Sequence, residues 1–186
     1  GFRIHIFKEK WVYVDANDAE FPIDRNDFSV TVDGKKITFD CVFNAIHGTP
    51  GEDGLMQAYF ELLGIPQTAC DYYQAALTFN KRDLLSVLKP YGIKTATSYY
   101  LNKGDLIDTD AIVEKVGLPC FVKPNKAGSS FGISKVKTDA ELPIAIEVAY
   151  KEDNEIIIES FLDGTEVSVG VINYKGEITV LPITEI

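Results

Sequence analysis

Lys123-Pro124-Asn125-Lys126-Ala127-Gly128-Ser129-Ser130-Phe131-Gly132 is the stretch around which the rest of the chain is organised. The apolar run Leu118–Val122 leads into it and Ile133–Val136 leaves it, which predicts strand, Gly/Ser loop, strand. Gly128 and Gly132 permit positive φ and close backbone approach, while Ser129 and Ser130 set hydroxyls beside free N–H groups. A tip of that composition can fold over an anion and surround it with donors. Four lysines and no acid stand between Lys123 and Lys137, in a chain of formal net charge −10. A bound anion is the expectation, and the shape of the loop points to phosphate. An exposed hairpin with solubilising lysines has the same composition. Lys123, however, directly follows an apolar strand, where a lysine is costly unless its ammonium finds a partner. No G-x-x-x-x-G-K-[ST] and no G-x-G-x-x-G opening a helix is present, so two other phosphate loops are set aside.

The 186 residues are long enough to bury a sizeable core, in one large domain or two small ones. Eighteen Lys+Arg against 28 Asp+Glu argue against a nucleic-acid or anionic-membrane surface. No apolar run approaches a membrane span, and no signal-peptide pattern opens the chain. Cys41, Cys70 and Cys120 are unclustered and read as reduced core thiols, which points to the cytoplasm. No C-x-x-C or clustered His/Cys set suggests a metal. Both ends look cut: Gly1–Phe7 enters mid-strand without Met, and Thr179–Ile186 stops inside an apolar alternation. A fragment of a longer protein is expected.

Along the chain, Arg3–Phe7 and Trp11–Val14 read as strands, as do Phe28–Val32 and Lys36–Ala45 around the Asp33-Gly34 turn. Phe39–Ile46 is apolar on both faces, as a buried parallel strand would be. It runs into His47-Gly48-Thr49-Pro50-Gly51-Glu52-Asp53-Gly54, and a helix from Leu55 to Leu63 follows, stopped by Gly64. That order sets His47 at a strand's carboxyl end, where α/β proteins bind ligands. Glu52 and Asp53 also read as first-turn acids favoured by the helix dipole. Helices are expected at Tyr73–Phe79, Arg82–Leu88, Thr109–Val116 and Asp139–Tyr150, and strands at Lys94–Tyr100 and Glu155–Glu159. A meander over Glu166–Ile172 and Glu177–Pro182 closes the chain. The first third is therefore α/β and the remainder α+β. Lys81 falls between two helices. Glu159 and Glu166, which bracket a turn, read equally as edge charges or as one wall of a ligand cleft.

Four motifs occur in order: H-G-T-P-G-E-D-G (47–54), F-N-K (79–81), V-K-P-N-K-A-G-S-S-F-G (122–132) and I-I-E-S-F-L-D-G-T-E (157–166). Together they resemble the D-alanine–D-alanine ligase family of the ATP-grasp superfamily, from about residue 4 to the end. The resemblance implies an N-terminal Rossmann-like (pre-ATP-grasp) domain over residues 1–70, lacking its first strand. A central ATP-grasp subdomain with the phosphate loop follows over 71–162, and the truncated start of the C-terminal ATP-grasp subdomain over 163–186.

The same resemblance implies a cytoplasmic ligase, homodimeric when full length. Such an enzyme uses ATP to join two D-alanines through an acyl phosphate for peptidoglycan precursor synthesis. Laid onto matching positions, Lys81 and Lys123 contact nucleotide phosphates. The loop 126–132, with Lys126, Gly128, Ser129, Ser130 and Gly132, closes over them. Glu159, Ser160, Phe161 and Leu162 form the adenine connector, and Glu166 holds the ribose hydroxyls. Ser129 reaches toward substrate and His47 lies near the first D-alanine, with Glu52 and Asp53 supporting its loop. Ser129 and His47 are thus the catalytic candidates. Magnesium is implied for the full-length protein, but the Arg, Asp and Glu-x-Asn that accompany it in the family are missing here, as is the loop that holds the first amino group. No metal ligand is therefore assigned, and the fragment alone is expected to be inactive. Two readings stay open. One is this ligase, or a relative making D-alanyl-D-lactate or another dipeptide. The other is a non-catalytic nucleotide-binding module.

Overall fold

A computed structural model describes residues 1–186. The chain begins with a five-stranded antiparallel meander: β1 (Arg3–Phe7), β2 (Lys10–Val14), β3 (Glu20–Asp24), β4 (Ser29–Val32) and β5 (Lys35–Ile37). The two-residue Asp33-Gly34 turn joins β4 to β5 with both φ positive (50° and 74°), as a tight hairpin turn requires. The sequence reading does not include β3, which carries Pro22. The strand tolerates it because Pro22 pairs only with Val12 of β2, while the ladder to β4 begins at Ile23. Helix α1 (Leu55–Leu63) lays Met56 and Phe60 on this sheet, closing a core with Ile23, Phe28 and Val30. Phe28 and Phe60 meet edge to face, with ring centroids 4.8 Å apart.

Phe39–Ile46 departs from the expected buried strand. Its one parallel bridge joins Val42 to Gln67, supported by Val42 N–H donating to the Pro66 carbonyl (2.8 Å) and Thr68 N–H to the Val42 carbonyl (3.1 Å). No other strand of residues 1–186 pairs with the segment, and Phe43 is 79% exposed. Cys41 lies on this open segment and is exposed, as is Cys70; only Cys120 is the core thiol expected of all three.

Helices α2 (Tyr72–Phe79) and α3 (Lys81–Leu88) follow, capped by Asp71 and Asn80, whose side chains accept from Gln74 N–H (2.8 Å) and Asp83 N–H (3.2 Å). The second core is built on β6 (Ser98–Asn102), α4 (Thr109–Val116), β7 (Cys120–Pro124), β8 (Ser134–Val136), α5 (Leu142–Ala149) and β9 (Glu155–Ser160). The strands form one antiparallel sheet in the order β6-β9-β7-β8. Cys120, Val122, Ile156 and Ile158 face α4 and α5 in a cluster of 12 buried residues. β7 alternates strictly, so Phe121 and Lys123 look away from that core. The chain closes with the hairpin β11 (Val171–Tyr174) and β12 (Glu177–Val180), flanked by the pair β10 (Val167–Ser168) and β13 (Thr184–Glu185). Every residue from 161 to 186 is exposed. No helix is long and apolar enough to cross a membrane.

Candidate active site

The face of the central sheet turned away from α4 and α5 carries the site. Register sets Phe121 opposite both Lys135 of β8 and Glu159 of β9, and Lys123 one step along on the same face. Lys123 Nζ lies 2.7 Å from Glu159 Oε2, with the two side chains 26% and 14% exposed. The strand-end lysine thus has the partner that its position demands. Lys81, at the start of α3, donates from Nζ to the carbonyls of Ala127 (2.9 Å) and Asn125 (3.3 Å) in the phosphate loop. Burial, and then the charge of Lys123 nearby, push its pKa below the ordinary lysine value, while Glu159 and Asp153 oppose the shift. Two ammonium groups from separate motifs therefore share one electropositive place. Phosphate oxygens would relieve that repulsion.

Asn125 organises the junction and was missed as a functional residue. Fully buried, it accepts from Arg82 N–H at Oδ1 (2.9 Å) and donates from Nδ2 to Asn80 Oδ1 (2.8 Å) and Glu155 Oε2 (2.9 Å). Arg82 reaches past it to Asn102 Oδ1 (2.8 Å) and to the carbonyls of Leu101 and Ile156. A visible signal existed: F-N-K and K-P-N-K each set an asparagine beside a candidate phosphate lysine. A polar residue that ends an apolar strand must find several partners.

The loop itself is wound tightly. Ser129 and Ser130 take φ of 49° and 59° and Gly132 takes 69°, whereas Gly128 lies outside the left-handed region. Phe131 N–H donates to the Gly128 carbonyl (3.1 Å) and Ile133 N–H to that of Ser130 (3.3 Å), and both serines are exposed. Lys126 is turned away from the other two lysines. Its Nζ pairs with Glu155 (2.8 Å) and its N–H donates to Asp153 Oδ2 (2.7 Å). The hydrogen bond to Glu155 raises its pKa and lowers that of Glu155. In this arrangement Lys126 anchors the loop base.

The 47–54 loop lies directly across. Gly48 N–H donates to Glu52 Oε2 (2.6 Å), and His47 Nδ1 stands 4.0 Å from Glu52 Oε1, with the imidazole largely exposed. A hollow of about 280 Å³ between the loops is lined by Glu52, Thr78, Phe79, Lys81, Ala127 and Gly128. Glu52 and Thr78 also line a second hollow of about 500 Å³ with His47, Asn44, Gln57 and Cys70. Gln57 Oε1 is buried there without a partner, because its Nε2 is committed to the Gly51 carbonyl (2.7 Å). His47 and the phosphate loop, distant in sequence, thus open onto neighbouring cavities.

The 159–162 connector is pinned by Ser160 N–H to the Thr97 carbonyl (2.9 Å), Thr97 N–H to Ser160 Oγ (3.0 Å) and Phe161 N–H to the Pro119 carbonyl (3.2 Å). Phe161 sits 6.1 Å from Phe121, and Lys135 Nζ lies 4.0 Å over its ring, a contact that sequence reading did not single out. Leu162 is 67% exposed. Glu166 is exposed and has no side-chain partner, so nothing ties it to this cluster. No three His, Cys, Asp or Glu side chains converge to hold a metal.

Comparison with known proteins gives this geometry its context. The family profile described as "D-ala D-ala ligase N-terminus" matches residues 8–70, and "D-ala D-ala ligase C-terminus" matches residues 87–186. A D-alanine--D-alanine ligase of Flavobacterium johnsoniae is 91% identical over the whole chain, which spans 58% of that relative's length. D-alanyl-alanine synthetase A of Vibrio cholerae superposes with a TM-score of 0.86 at 27% identity, covering 100% of this chain and 56% of its own. The VanG D-Ala:D-Ser ligase of Enterococcus faecalis superposes with a TM-score of 0.80 at 30% identity, covering 99% of this chain and 59% of its own. With both profiles matched in order, and the phosphate and histidine loops meeting across one cleft, the chain belongs to the D-alanine–D-alanine ligase family.

Proposed function

We propose that the whole protein is an ATP-dependent ligase that joins two D-alanines for peptidoglycan precursor synthesis. One observation carries this reading: Lys81, Ala127 and Gly128 line a hollow with Glu52, and Glu52 and His47 line the hollow beside it. A nucleotide wall opposite an amino-acid wall is what carboxylate activation requires. The γ-phosphoryl of ATP passes to a carboxylate oxygen of the first D-alanine, and ADP leaves. The amine of the second D-alanine then attacks the acyl carbon, the C–O bond to phosphate breaks, and the amine loses a proton as the amide forms. Lys81 and Lys123 would offset the charge on the transferring group, and the 126–132 loop would keep water from the acyl phosphate. By the resemblance, Ser129 reaches toward substrate, His47 borders the first D-alanine and Glu159–Leu162 hold adenine; the ribose role of Glu166, exposed and without a side-chain partner here, rests on the resemblance alone.

The resemblance implies magnesium for the full-length protein; residues 1–186 hold no cluster of acids, histidines or cysteines that would bind it, so no step is routed through one. The two core clusters, one within residues 4–65 and one within 99–158, support subdomains at 1–70 and 71–162, with a third beginning at 163. Use of ATP supports the cytoplasm. The homodimer rests on the resemblance alone, and light scattering reads it directly.

Specificity for D-alanine over D-serine rests on the Flavobacterium relative, because the VanG fold is shared while its name specifies D-serine. The test is ADP release by a protein spanning its relatives' full length, offered ATP and D-alanine, D-serine or D-lactate. D-Alanyl-D-alanine formed with one ADP per bond is the expected result. ADP release indifferent to any of the three acids would leave only a nucleotide-binding module.

A further inference from the structure

Asn125 is wholly enclosed, and every polar group it owns is committed. Its N–H donates to the Glu155 carbonyl (2.9 Å), which carries the ladder between β7 and β9 one residue past Pro124. Its carbonyl accepts the Lys81 N–H (3.3 Å). Oδ1 accepts the Arg82 N–H in the first turn of α3 (2.9 Å), and Nδ2 donates to Asn80 Oδ1 (2.8 Å) and Glu155 Oε2 (2.9 Å). Three consecutive residues, Asn80, Lys81 and Arg82, are thus all bonded to one. An orphan N–H at a helix start is usually capped by a neighbour in sequence, as Asn80 caps Asp83 N–H here. The cap on Arg82 comes instead from 43 residues away, at the end of the strand that carries Lys123. Burying an amide is costly unless all of its bonds are made, and a small apolar side chain carries no such demand. What the amide adds is direction: it admits one placement of α3 against β7.

We propose that Asn125 is a positioning residue that fixes the start of α3 against the end of β7 and so sets the separation at which Lys81 and Lys123 receive the nucleotide phosphates. The inference rests on the ligase reading for the presence of those phosphates. Asn125 touches no nucleotide and acts through Lys81. None of its bonds goes to the 47–54 loop or to the 159–162 connector, so its effect falls on phosphate binding and spares the amino-acid side.

The test is a double-mutant cycle of Asn125→Ala and Lys81→Met in a protein spanning its relatives' full length. ATP affinity is read by calorimetry on protein shown to be folded by circular dichroism. Alone, Asn125→Ala weakens ATP binding about ten-fold; in the Lys81→Met background it costs about two-fold or less, because the ammonium it places is gone. KM for ATP rises with it, while KM for D-alanine holds within about two-fold. A role confined to stability would leave the affinity of folded molecules alone. Unchanged ATP affinity in folded Asn125→Ala therefore overturns the proposal, as does an equal loss in both backgrounds. Should Asn125→Ala fail to fold, Asn80→Ala removes the Nδ2 partner at the half-buried end. A weakening of about three-fold that vanishes with Lys81→Met then carries the proposal, and an additive loss or none overturns it. ATP binding without D-alanine-dependent turnover sinks the ligase reading alone, turnover with an additive cycle sinks this inference alone, and a protein that binds no ATP sinks both.

Discussion

Replacing Lys123 by Met separates what this lysine does for the fold from what it does for the nucleotide. Its ammonium is the one side-chain partner of Glu159, at 2.7 Å, and Glu159 is only 14% exposed. Met fills the stem volume but orphans a carboxylate that solvent barely reaches. An unsatisfied buried polar group costs about 1–3 kcal/mol, and a fully buried broken pair about 3–5. With Lys123 itself 26% exposed, the lower range applies, so unfolding stability should fall by about 2 kcal/mol. Lys123→Met/Glu159→Gln should recover about half of that loss, because a neutral amide is cheaper to leave unpaired. Urea unfolding followed by far-ultraviolet circular dichroism is the assay, since the one tryptophan, Trp11, packs in the other core. ATP affinity, measured by calorimetry on folded protein, should drop at least about ten-fold, or 1.4 kcal/mol, in both variants. A double variant no more stable than Lys123→Met refutes the orphaned-charge argument. Unchanged ATP affinity in folded Lys123→Met refutes the phosphate assignment.

The loop 126–132 should exchange amide hydrogens and admit protease readily without ATP, and become protected with it; equal protection in both states refutes a closing lid. His47→Ala should raise KM for D-alanine or lower kcat about ten-fold while ATP affinity holds within about two-fold, and a collapse of ATP affinity would place His47 in the other pocket. Lys81 has a folded pKa below its ordinary value, so its charge costs stability in full below that folded pKa, and the cost disappears as pH rises to the ordinary value. Bound phosphate restores that pKa, so ATP binding at alkaline pH should take up protons, seen as a calorimetric heat that varies with buffer ionisation enthalpy; a buffer-independent heat refutes it. Residues 1–186 alone should show no ligase turnover, and D-alanine-dependent ADP release by them would overturn the view that further residues are needed.

The sequence carried the local parts of this structure well. The Thr109–Val116 helix, the Gly64 stop, the Asp33-Gly34 turn and the hairpin around Gly128 all follow from short-range rules of capping and turn chemistry. What it concealed depends on pairing across distance. Phe39–Ile46 has the composition of a buried strand, but its one ladder contact among residues 1–186 is the Val42–Gln67 bridge. Lys126 looked the same as Lys123 in an acid-free strip, because the acids that claim it, Asp153 and Glu155, lie a helix away in sequence. Glu52 has the spacing of a first-turn acid, but the helix starts at Leu55 and the carboxylate accepts the Gly48 N–H within its own loop (2.6 Å).

That last class of contact changes how binding is to be understood. Three lysines of the site already have an acceptor from the chain: Lys81 has the Ala127 and Asn125 carbonyls, Lys123 has Glu159, and Lys126 has Glu155. Nucleotide arrival is therefore an exchange of partners, and its free energy is a difference between two sets of charge-assisted bonds. The exchange is uneven. Lys126 gains little by leaving Glu155, whereas Lys81 is a desolvated ammonium beside another ammonium, satisfied only by neutral carbonyls. Phosphate binding should thus draw on Lys81 first. Because Lys81 grips the Ala127 carbonyl, shifting its bonds to phosphate loosens the loop base at the moment the tip must move. Under the proposed assignment, the lysine that meets phosphate first also holds the Ala127 carbonyl, which would link binding to release of the loop.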